Sequence, residues 1–394
     1  MNSNQSIDLR QRASVAAAGF GKIAQTATSA ALLVLLLSLP GCCIPKRPLE
    51  AINVLAGVVH PDRLHEGKEP QRTTVNYEAR GSIHRGDIYL PPHPRAGILL
   101  VPGAAQAGKD DARVVAFANA LARADFAVLV PDLVDVRQLK PGPRDVREIA
   151  DGFAYLVSRP DLAPQGRAGI AAASYAVGPA VLAAIEPGIR DRVHFILGIG
   201  GYYDLPAVIA FFTTGYFRDG SRWQYLSPNE YGKWVFALSN ADRLRDPADR
   251  RAIRAIAVRK MEHSDATVEP AVRQLHREGL AMYELLTNTD PRRVPGLIQR
   301  LPGPIRSDIA ALDLSRHDLS TLRARLILVH GRDDAMIPYT QSVALARAVR
   351  PGQATVYLIH GLAHVDVRTL GPAAALKVLC AIDAVLAEQT QPSR

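Results

Sequence analysis

The sequence of 394 residues is 48% hydrophobic and 22% charged, a globular composition that can bury a substantial core and that argues against a disordered chain. Its three cysteines are too few for a disulfide scaffold, and no Cys/His spacing indicates zinc. The net charge is +9. The basic residues are scattered over predicted helices rather than concentrated in one run, which favours solvated helix faces over a nucleic-acid interface.

The first 41 residues have the pattern of an export signal. Residues 1–28 are rich in Ala, Ser and Gln and carry Arg10, Arg12 and Lys22, and the apolar run Ala30–Leu39 follows them. This run of ten residues is shorter than the roughly 20 that span a bilayer as a helix, but it suits a signal peptide. We therefore predict a signal peptide at 1–41. The alternative is an uncleaved anchor helix that extends back towards Ala13.

The apolar run ends in Leu39-Pro40-Gly41-Cys42, which resembles the lipobox of bacterial lipoproteins. The resemblance implies that Cys42 is acylated and becomes the first residue of an exported protein, anchored in a bacterial membrane and facing the periplasm. The alternative is that Cys42 and Cys43 are ordinary thiols or a disulfide partner for Cys380.

Strands and helices alternate over most of the remaining chain. Residues 42–71 are punctuated by prolines and predict a tether with one helical turn. Thr73–Ala79 and Ser82–Leu90 alternate like the strands of a hairpin, and the continuous apolar run Ala96–Val101 is typical of a strand buried on both faces. Further strands are predicted at Ala127–Val130, Ala168–Ala173, His194–Ile199, Leu326–Gly331 and Thr355–Ile359, and helices at Asp111–Ala124, Arg144–Val157, Thr340–Val349 and Pro372–Leu386. This order predicts an α/β fold with a mostly parallel, doubly wound sheet.

A segment of helical character, Leu205–Ser320, interrupts the alternation and is broken by several prolines. It follows the carboxyl end of a strand, which is where open α/β sheets bind ligands, so we expect it to be a lid. The predicted organisation is therefore an α/β core at 72–204 and 321–388, with a helical lid inserted at 205–320.

Ser174 lies between the predicted strand Ala168–Ala173 and a helical pattern that starts at Gly178. A hydroxyl on such a turn stands clear of the backbone at the end of a sheet, and the helix N-terminus behind it favours developing negative charge. Small residues, Ala172 and Ala176, stand two before and two after the serine and let the strand and helix approach closely. Ser174 is therefore the candidate nucleophile.

Two later loops supply a base and an acid for this serine. The first reads Gly331-Arg332-Asp333-Asp334-Ala335-Met336-Ile337-Pro338 and the second reads Gly361-Leu362-Ala363-His364. Both resemble loops of the α/β-hydrolase superfamily, and the resemblance selects Asp334 and His364 as catalytic partners of Ser174, in the chain order of that fold. The near alternatives are His360 as the base, and Asp333 or Asp204 as the acid.

The same resemblance implies two backbone N–H donors for the oxyanion of an acyl-transfer intermediate. One is the residue after the nucleophile, Tyr175, and the other is Ala104 in the loop Pro102-Gly103-Ala104-Ala105, with Ala105 as second choice. The alternative is that this loop is only a tight turn.

The lid contains a dense group of aromatic residues, which are Phe211, Phe212, Tyr216, Phe217, Trp223, Tyr225, Tyr231, Trp234 and Phe236. Such rings over a polar centre suit an apolar acyl or alkyl substrate. The alternative is that they only pack the lid onto the sheet.

We therefore predict a serine hydrolase, with a carboxylesterase that cleaves an apolar ester through an acyl-enzyme as the favoured activity. An acyltransferase would use the same three residues, and a non-catalytic envelope protein would keep the fold as a binding scaffold. We expect a small-molecule ester as substrate, the membrane as a partner through lipidated Cys42, and no nucleic acid, cofactor or metal. The sequence does not specify the oligomeric state.

Overall fold

The computed structural model describes residues 43–60, 70–364, 366–367 and 370–390. The predicted signal peptide and Cys42 lie outside these residues. Residues 43–46 contain neither helix nor strand, and a separate compact unit begins at Arg47. Within the described ranges, no helix has the length and apolar character needed to cross a membrane.

Twelve strands are found in the part of the chain that the structure describes. They are β1 (Gln71–Ala79), β2 (Ser82–Leu90), β3 (Ala96–Val101), β4 (Phe126–Pro131), β5 (Ala168–Ala173), β6 (Phe195–Ile199), β7 (Tyr216–Asp219), β8 (Arg222–Tyr225), β9 (Arg325–Gly331), β10 (Ala354–Ile359), β11 (Leu362–Ala363) and β12 (Asp366–Val367).

Eight of these strands form the central sheet, in the order β1-β2-β4-β3-β5-β6-β9-β10. Strand β2 is antiparallel to both of its neighbours, and the strands from β4 to β10 are parallel. The turn between β1 and β2 places Arg80 and Gly81 at φ of 49° and 74°, the left-handed pair that a tight hairpin requires. The predicted α/β fold with a mostly parallel sheet is confirmed.

Fourteen α-helices accompany the sheet within the described residues. They are α1 (Pro48–Val59), α2 (Ala112–Arg123), α3 (Val134–Arg137), α4 (Arg144–Ser158), α5 (Val177–Ala184), α6 (Leu205–Thr214), α7 (Tyr231–Ala241), α8 (Pro247–Glu262), α9 (Glu269–Val272), α10 (Arg277–Leu286), α11 (Val294–Arg300), α12 (Gly303–Leu312), α13 (Thr340–Ala348) and α14 (Pro372–Ala387).

Helices cover both faces of the sheet, as the alternation of side chains along β3 shows. Leu99 and Val101 belong to a core shared with α4, α5 and the inserted helices, whereas Ile98 and Leu100 belong to a core shared with α1, α2 and α14. Because neighbouring residues of a strand point to opposite faces, an all-apolar strand must be buried on both sides. Cys380, on α14, is disulfide-bonded.

Two elements differ from the prediction. The segment predicted to be a tether with one helical turn, 42–71, contains the twelve-residue helix α1, whose Ala51, Val54 and Gly57 are buried. The segment predicted to be helical with proline breaks, Leu205–Ser320, includes the β7–β8 hairpin between α6 and α7. The hairpin closes at Gly220, which has a φ of 59°, so a turn signal and two short aromatic strands interrupt the helical pattern.

Candidate active site

Ser174 lies on a strained turn at the end of β5. The strand stops at Ala173, Ser174–Ala176 form one turn of 3-10 helix, and α5 begins at Val177. Ser174 has a φ of 56°, a left-handed conformation that is uncommon for residues other than glycine and that is found at functional turns. The turn thus holds the hydroxyl at the carboxyl edge of the sheet.

The structure brings Ser174, His364 and Asp334 together in one chain of hydrogen bonds. Nε2 of His364 lies 2.8 Å from Oγ of Ser174, and Nδ1 of His364 lies 2.8 Å from Oδ2 of Asp334. The three residues come from loops after β5, β9 and β10, whose carboxyl ends share one edge of the parallel sheet. Gly200, at the end of β6, leaves room for this pair, because a Cβ there would stand 3.3 Å from Nδ1 of His364.

Asp334 is fully buried and accepts hydrogen bonds on both of its oxygens. Its Oδ1 accepts from the backbone N–H groups of Met336 at 2.8 Å and Ile337 at 3.0 Å. Burial favours the neutral acid, but hydrogen bonds and charges from His330 and His364 outweigh it and hold the pKa of Asp334 well below its usual range. The carboxylate is therefore ionised at neutral pH, and it can stabilise an imidazolium at His364.

The alternative residues occupy other positions. Asp204 caps α6 by accepting from the N–H of Ala207 at 2.9 Å, and Asp333 accepts from the N–H of Gly361 at 3.2 Å. His360 lies exposed at the turn that follows β10. None of these three groups takes part in the hydrogen bonds of Ser174 or His364 that the structure describes.

His330 is a buried partner of Asp334 that the sequence analysis did not single out. Its Nε2 lies 2.8 Å from the carbonyl oxygen of Ile337 and 3.3 Å from Oδ2 of Asp334, and its Nδ1 lies 2.7 Å from Oγ of Ser342. Because a carbonyl oxygen only accepts, Nε2 carries a proton. The only sequence signal for this residue is a histidine at the end of an otherwise apolar strand, which is also typical of a satisfied core residue.

The loop after β3 passes close to the serine turn. A Cβ on Gly103 would stand 3.3 Å from both the carbonyl oxygen of Ala173 and Cβ of Ser174, so the two backbones almost touch. Gly103, Ala104 and Ala105 line the same cavity as Ser174. Tyr175 lies in the first turn that precedes α5, where backbone N–H groups lack partners within the helix.

The side chain of Tyr175 points away from that cavity and into the fold. Its hydroxyl lies 2.9 Å from Oδ2 of Asp145 and 3.2 Å from the carbonyl oxygen of Gly142, and Asp145 also accepts from the N–H of Gly142 at 3.0 Å. Burial raises the pKa of Asp145 to about 7, and the nearby carboxylate of Glu148 adds to the rise, although the hydrogen bonds from Gly142 and Tyr175 oppose it.

A cavity of about 730 Å³ opens at Ser174 and His364. Of the nine lid aromatics, only Tyr231 is part of its lining. The others pack together, as in the pairs Phe211–Phe217 and Phe212–Phe236, or are exposed, like Tyr225. The expectation that the lid rings form the apolar pocket is therefore wrong, and the alternative, that they pack the insertion, describes them better.

The described ranges contain no group of three or more His, Cys, Asp or Glu side chains that is arranged to hold a metal ion.

The strand order, the antiparallel β2 and the loops that carry Ser174, Asp334 and His364 define the α/β-hydrolase fold. A protein from Legionella pneumophila, described as a candidate hydrolase, has the same fold, with a TM-score of 0.54 and 14% identity over 87% of this chain and 95% of its own. A dienelactone hydrolase from Anabaena variabilis gives a TM-score of 0.42 and 13% identity over 80% of this chain and 96% of its own. No protein-family model matches the sequence, and no functionally curated protein does. The likeness to the Legionella protein supports the fold alone.

Proposed function

We propose that the chain is a serine hydrolase that cleaves carboxylic esters through an acyl-enzyme. The observation that carries the proposal is the unbroken chain of hydrogen bonds from Oγ of Ser174 through the imidazole of His364 to the buried carboxylate of Asp334. A serine hydroxyl is a weak nucleophile by itself, and a base held by an ionised carboxylate is the standard means of activating it.

In the first half-reaction, Oγ of Ser174 attacks the ester carbonyl carbon and gives its proton to Nε2 of His364. The proposed oxyanion donors, the backbone N–H groups of Ala104 and Tyr175, bind the oxygen that becomes negative. The carbon–oxygen bond to the alcohol then breaks, and the alcohol leaves with the proton from His364. In the second half-reaction, water loses a proton to His364 and attacks the acyl-serine, which releases the acid and restores the hydroxyl of Ser174.

An ester is favoured over an amide on two grounds. The cavity beside Ser174 is lined mainly by Ala, Val, Leu and Ile side chains, so it offers an apolar surface rather than the polar subsites that a peptide backbone needs. An alcohol is also a better leaving group than an amine. Transfer of the acyl group to an alcohol in place of water would use the same residues, and product analysis with an added alcohol distinguishes the two reactions.

Labelling with a fluorophosphonate probe tests the proposed nucleophile. We expect the wild type to be labelled and to hydrolyse p-nitrophenyl butyrate, and Ser174→Ala to lose both properties. Ser158→Ala, which removes an exposed serine, is the matched control and keeps them. Labelling that persists in Ser174→Ala would show that another serine is the nucleophile, and a wild type that is neither labelled nor active would favour a binding scaffold.

We also propose that the protein is exported and held at a bacterial membrane by acylated Cys42. The support is the order of a positive flank, the apolar run Ala30–Leu39 and a cysteine that directly follows it. Mass spectrometry of the N-terminal peptide from a membrane fraction tests this proposal. We expect a peptide that starts at a modified Cys42, and an unmodified Cys42 in the same fraction would contradict it.

A further inference from the structure

The cavity that opens at Ser174 extends beneath three helices that the proposed catalytic residues do not involve. Its far walls come from one side of each of α1, α2 and α14, and its floor comes from β3, β6 and β9 through Leu100, Leu197 and Val329. The lining residues on these helices include Val54 and Val58 of α1, Phe117 and Leu121 of α2, and Ile382 and Val385 of α14. Apart from Arg113, in the first turn of α2, every side chain that the three helices contribute to the lining is hydrocarbon.

The direction of α2 shows which way the cavity runs. This helix follows β3 and leads into β4, which is parallel to β3, so it starts near the edge where Ser174 lies and returns along the sheet. Val114, Phe117 and Leu121 follow one another at spacings of three and four and therefore lie on one face of the helix. Seven residues of helix correspond to roughly 10 Å, so the apolar lining reaches about that far from the serine edge.

Helix α1 closes the cavity on the outside. A Cβ on Gly57 would stand 3.2 Å from Cβ of Ala120 on α2, so these two helices are in close contact. Ala51 and Val54 are buried in the same core as Leu379 and Val385 of α14, so α1 also packs against α14. The exposed side of α1 carries Leu49 and Ile52, and neither of these residues lines the cavity.

We infer that this cavity binds the hydrocarbon chain of a fatty acyl group, with α1 as the wall that sets the preferred chain length. The inference rests on the proposed function, because it assigns the acyl part of the ester that Ser174 would cleave. The volume of about 730 Å³ is within the range of roughly 300–1,000 Å³ of small-molecule sites. The polar members of the lining include Ser174, His364, Asn229 and Asp333, which belong to loops at the serine edge, so the carbonyl end of the substrate has polar partners there.

The acyl chain suits this cavity better than the alcohol does. The acyl group stays bound to Ser174 through both half-reactions, whereas the alcohol must leave before water can attack. A deep apolar site would hold the acyl group in place, but it would slow the release of the alcohol if the alcohol were bound there. Each methylene that moves from water into such a site adds binding energy in proportion to the area buried.

Two series of esters test the inference. The first varies the acyl chain, with p-nitrophenyl acetate, butyrate, octanoate and decanoate, and the second varies the alcohol, with ethyl, octyl and decyl acetate, all below their micellar concentrations. In the first series we expect kcat/KM to rise roughly fourfold for each added methylene, the equivalent of ~0.8 kcal/mol, and in the second to change little. A flat first series, or a rise confined to the second, would overturn the assignment to the acyl group.

A matched pair of variants on α1 tests the wall. Val58→Trp places a large ring in the lining, and we expect it to lower the ratio of decanoate to butyrate activity at least tenfold. Ile52→Trp adds the same ring to the same helix outside the lining and keeps the wild-type ratio. Thermal unfolding checks both variants, and Val58→Phe replaces Val58→Trp if the larger ring prevents folding. Equal ratios in two folded variants would overturn the role of α1.

Calorimetry with decanoate separates this inference from the proposed function. Ser174→Ala is expected to bind decanoate, and Ser174→Ala combined with Val58→Trp is expected to bind it at least tenfold more weakly. This result would support the assignment of the cavity as a fatty acyl site even if the wild type hydrolysed no ester. Ester hydrolysis in a wild type that has no chain-length preference and binds no decanoate would leave the proposed function intact and overturn the fatty acyl site alone.

Discussion

Two buried carboxyl groups flank Ser174, and their pKa values shift in opposite directions. Asp334 reaches the serine through His364, and Asp145 reaches the serine turn through the side chain of Tyr175. The two are equally inaccessible, at 0% and 1% exposure. The pKa of Asp334 lies well below its usual range, whereas burial raises the pKa of Asp145 to about 7.

The number and kind of hydrogen-bond donors account for the difference. Asp334 has two backbone N–H donors and two imidazoles around it, whereas Asp145 has one backbone N–H and one tyrosine hydroxyl. Burial disfavours a carboxylate in both places, and only the richer set of donors at Asp334 overcomes it. At neutral pH, one flank of the site therefore carries a carboxylate, and the other carries a carboxyl group that is close to its midpoint of ionisation and supports the turn.

Removal of the negative charge at Asp334 is expected to have the largest effect on activity. Asp334→Asn removes the charge and lets the side chain donate where it should accept, so the imidazole of His364 is held in the wrong tautomer. We expect kcat on p-nitrophenyl butyrate to fall about 10,000-fold. Asp204→Asn is the matched control, because asparagine caps a helix as well as aspartate does, and it should retain wild-type activity. A loss of less than tenfold in a folded Asp334→Asn variant would contradict the proposed role.

His330 tests whether the donors, rather than burial, set the charge at Asp334. His330→Asn shortens the side chain, so no nitrogen remains at the position from which Nε2 of His330 faces Oδ2 of Asp334. A hydrogen bond to a charged group contributes roughly 1.5–3 kcal/mol, so we expect kcat/KM to fall about tenfold to a hundredfold. The loss of a donor also raises the pKa of Asp334, and the acidic limb of the pH–rate profile should move to higher pH.

The pH profile distinguishes this positioning role from a packing role. A variant that only loosened the fold would lower activity at every pH and leave the limb where it is. His317→Asn is the matched control, since the Nε2 of the half-buried His317 also contacts a carbonyl oxygen, that of Ala311. If the limb of His330→Asn coincides with that of the wild type, His330 is a structural residue.

The sheet and the three proposed catalytic residues could be predicted from the sequence because their signals are local. A strand buried on both faces, such as β3, reads as a continuous apolar run, and each loop after such a strand has its polar residue at a fixed offset. Parallel strands place their carboxyl ends at one edge of the sheet, so the loops after β5, β9 and β10 meet there. This meeting can be predicted once the strands themselves have been predicted.

The far walls of the cavity and the second histidine could not be predicted in this way. Helix α1 begins at a proline and has the small residues Ala51 and Gly57 on its buried side. Most of its stability comes from packing against α2 and α14, which lie far away in the chain. The lid aromatics are the more prominent pattern in the sequence, but apart from Tyr231 they do not line the cavity. The role of His330 depends on Ile337 and Ser342, whose positions only the folded loop determines.

Asp145 provides the test with the smallest effect on activity. Because its folded pKa is raised to about 7, the folded state holds a proton that the unfolded state loses above pH 4. The group's contribution to stability is complete below that pH, falls by about 1.4 kcal/mol per pH unit up to about 7, and is constant above. Asp145→Asn removes the titration, while its amide oxygen can still accept from Gly142 and Tyr175.

We therefore expect Asp145→Asn to keep kcat within about twofold of the wild-type value. A twofold change corresponds to well under 1 kcal/mol of activation free energy. In chemical denaturation, the difference in unfolding free energy between variant and wild type should grow in favour of the variant between pH 5 and pH 7. Tyr175→Phe, which removes the hydroxyl donor but keeps the carboxyl group, should retain the pH dependence. A constant difference across this range would mean that Asp145 is ionised in the fold, and the contrast between the two flanks of Ser174 would then be lost.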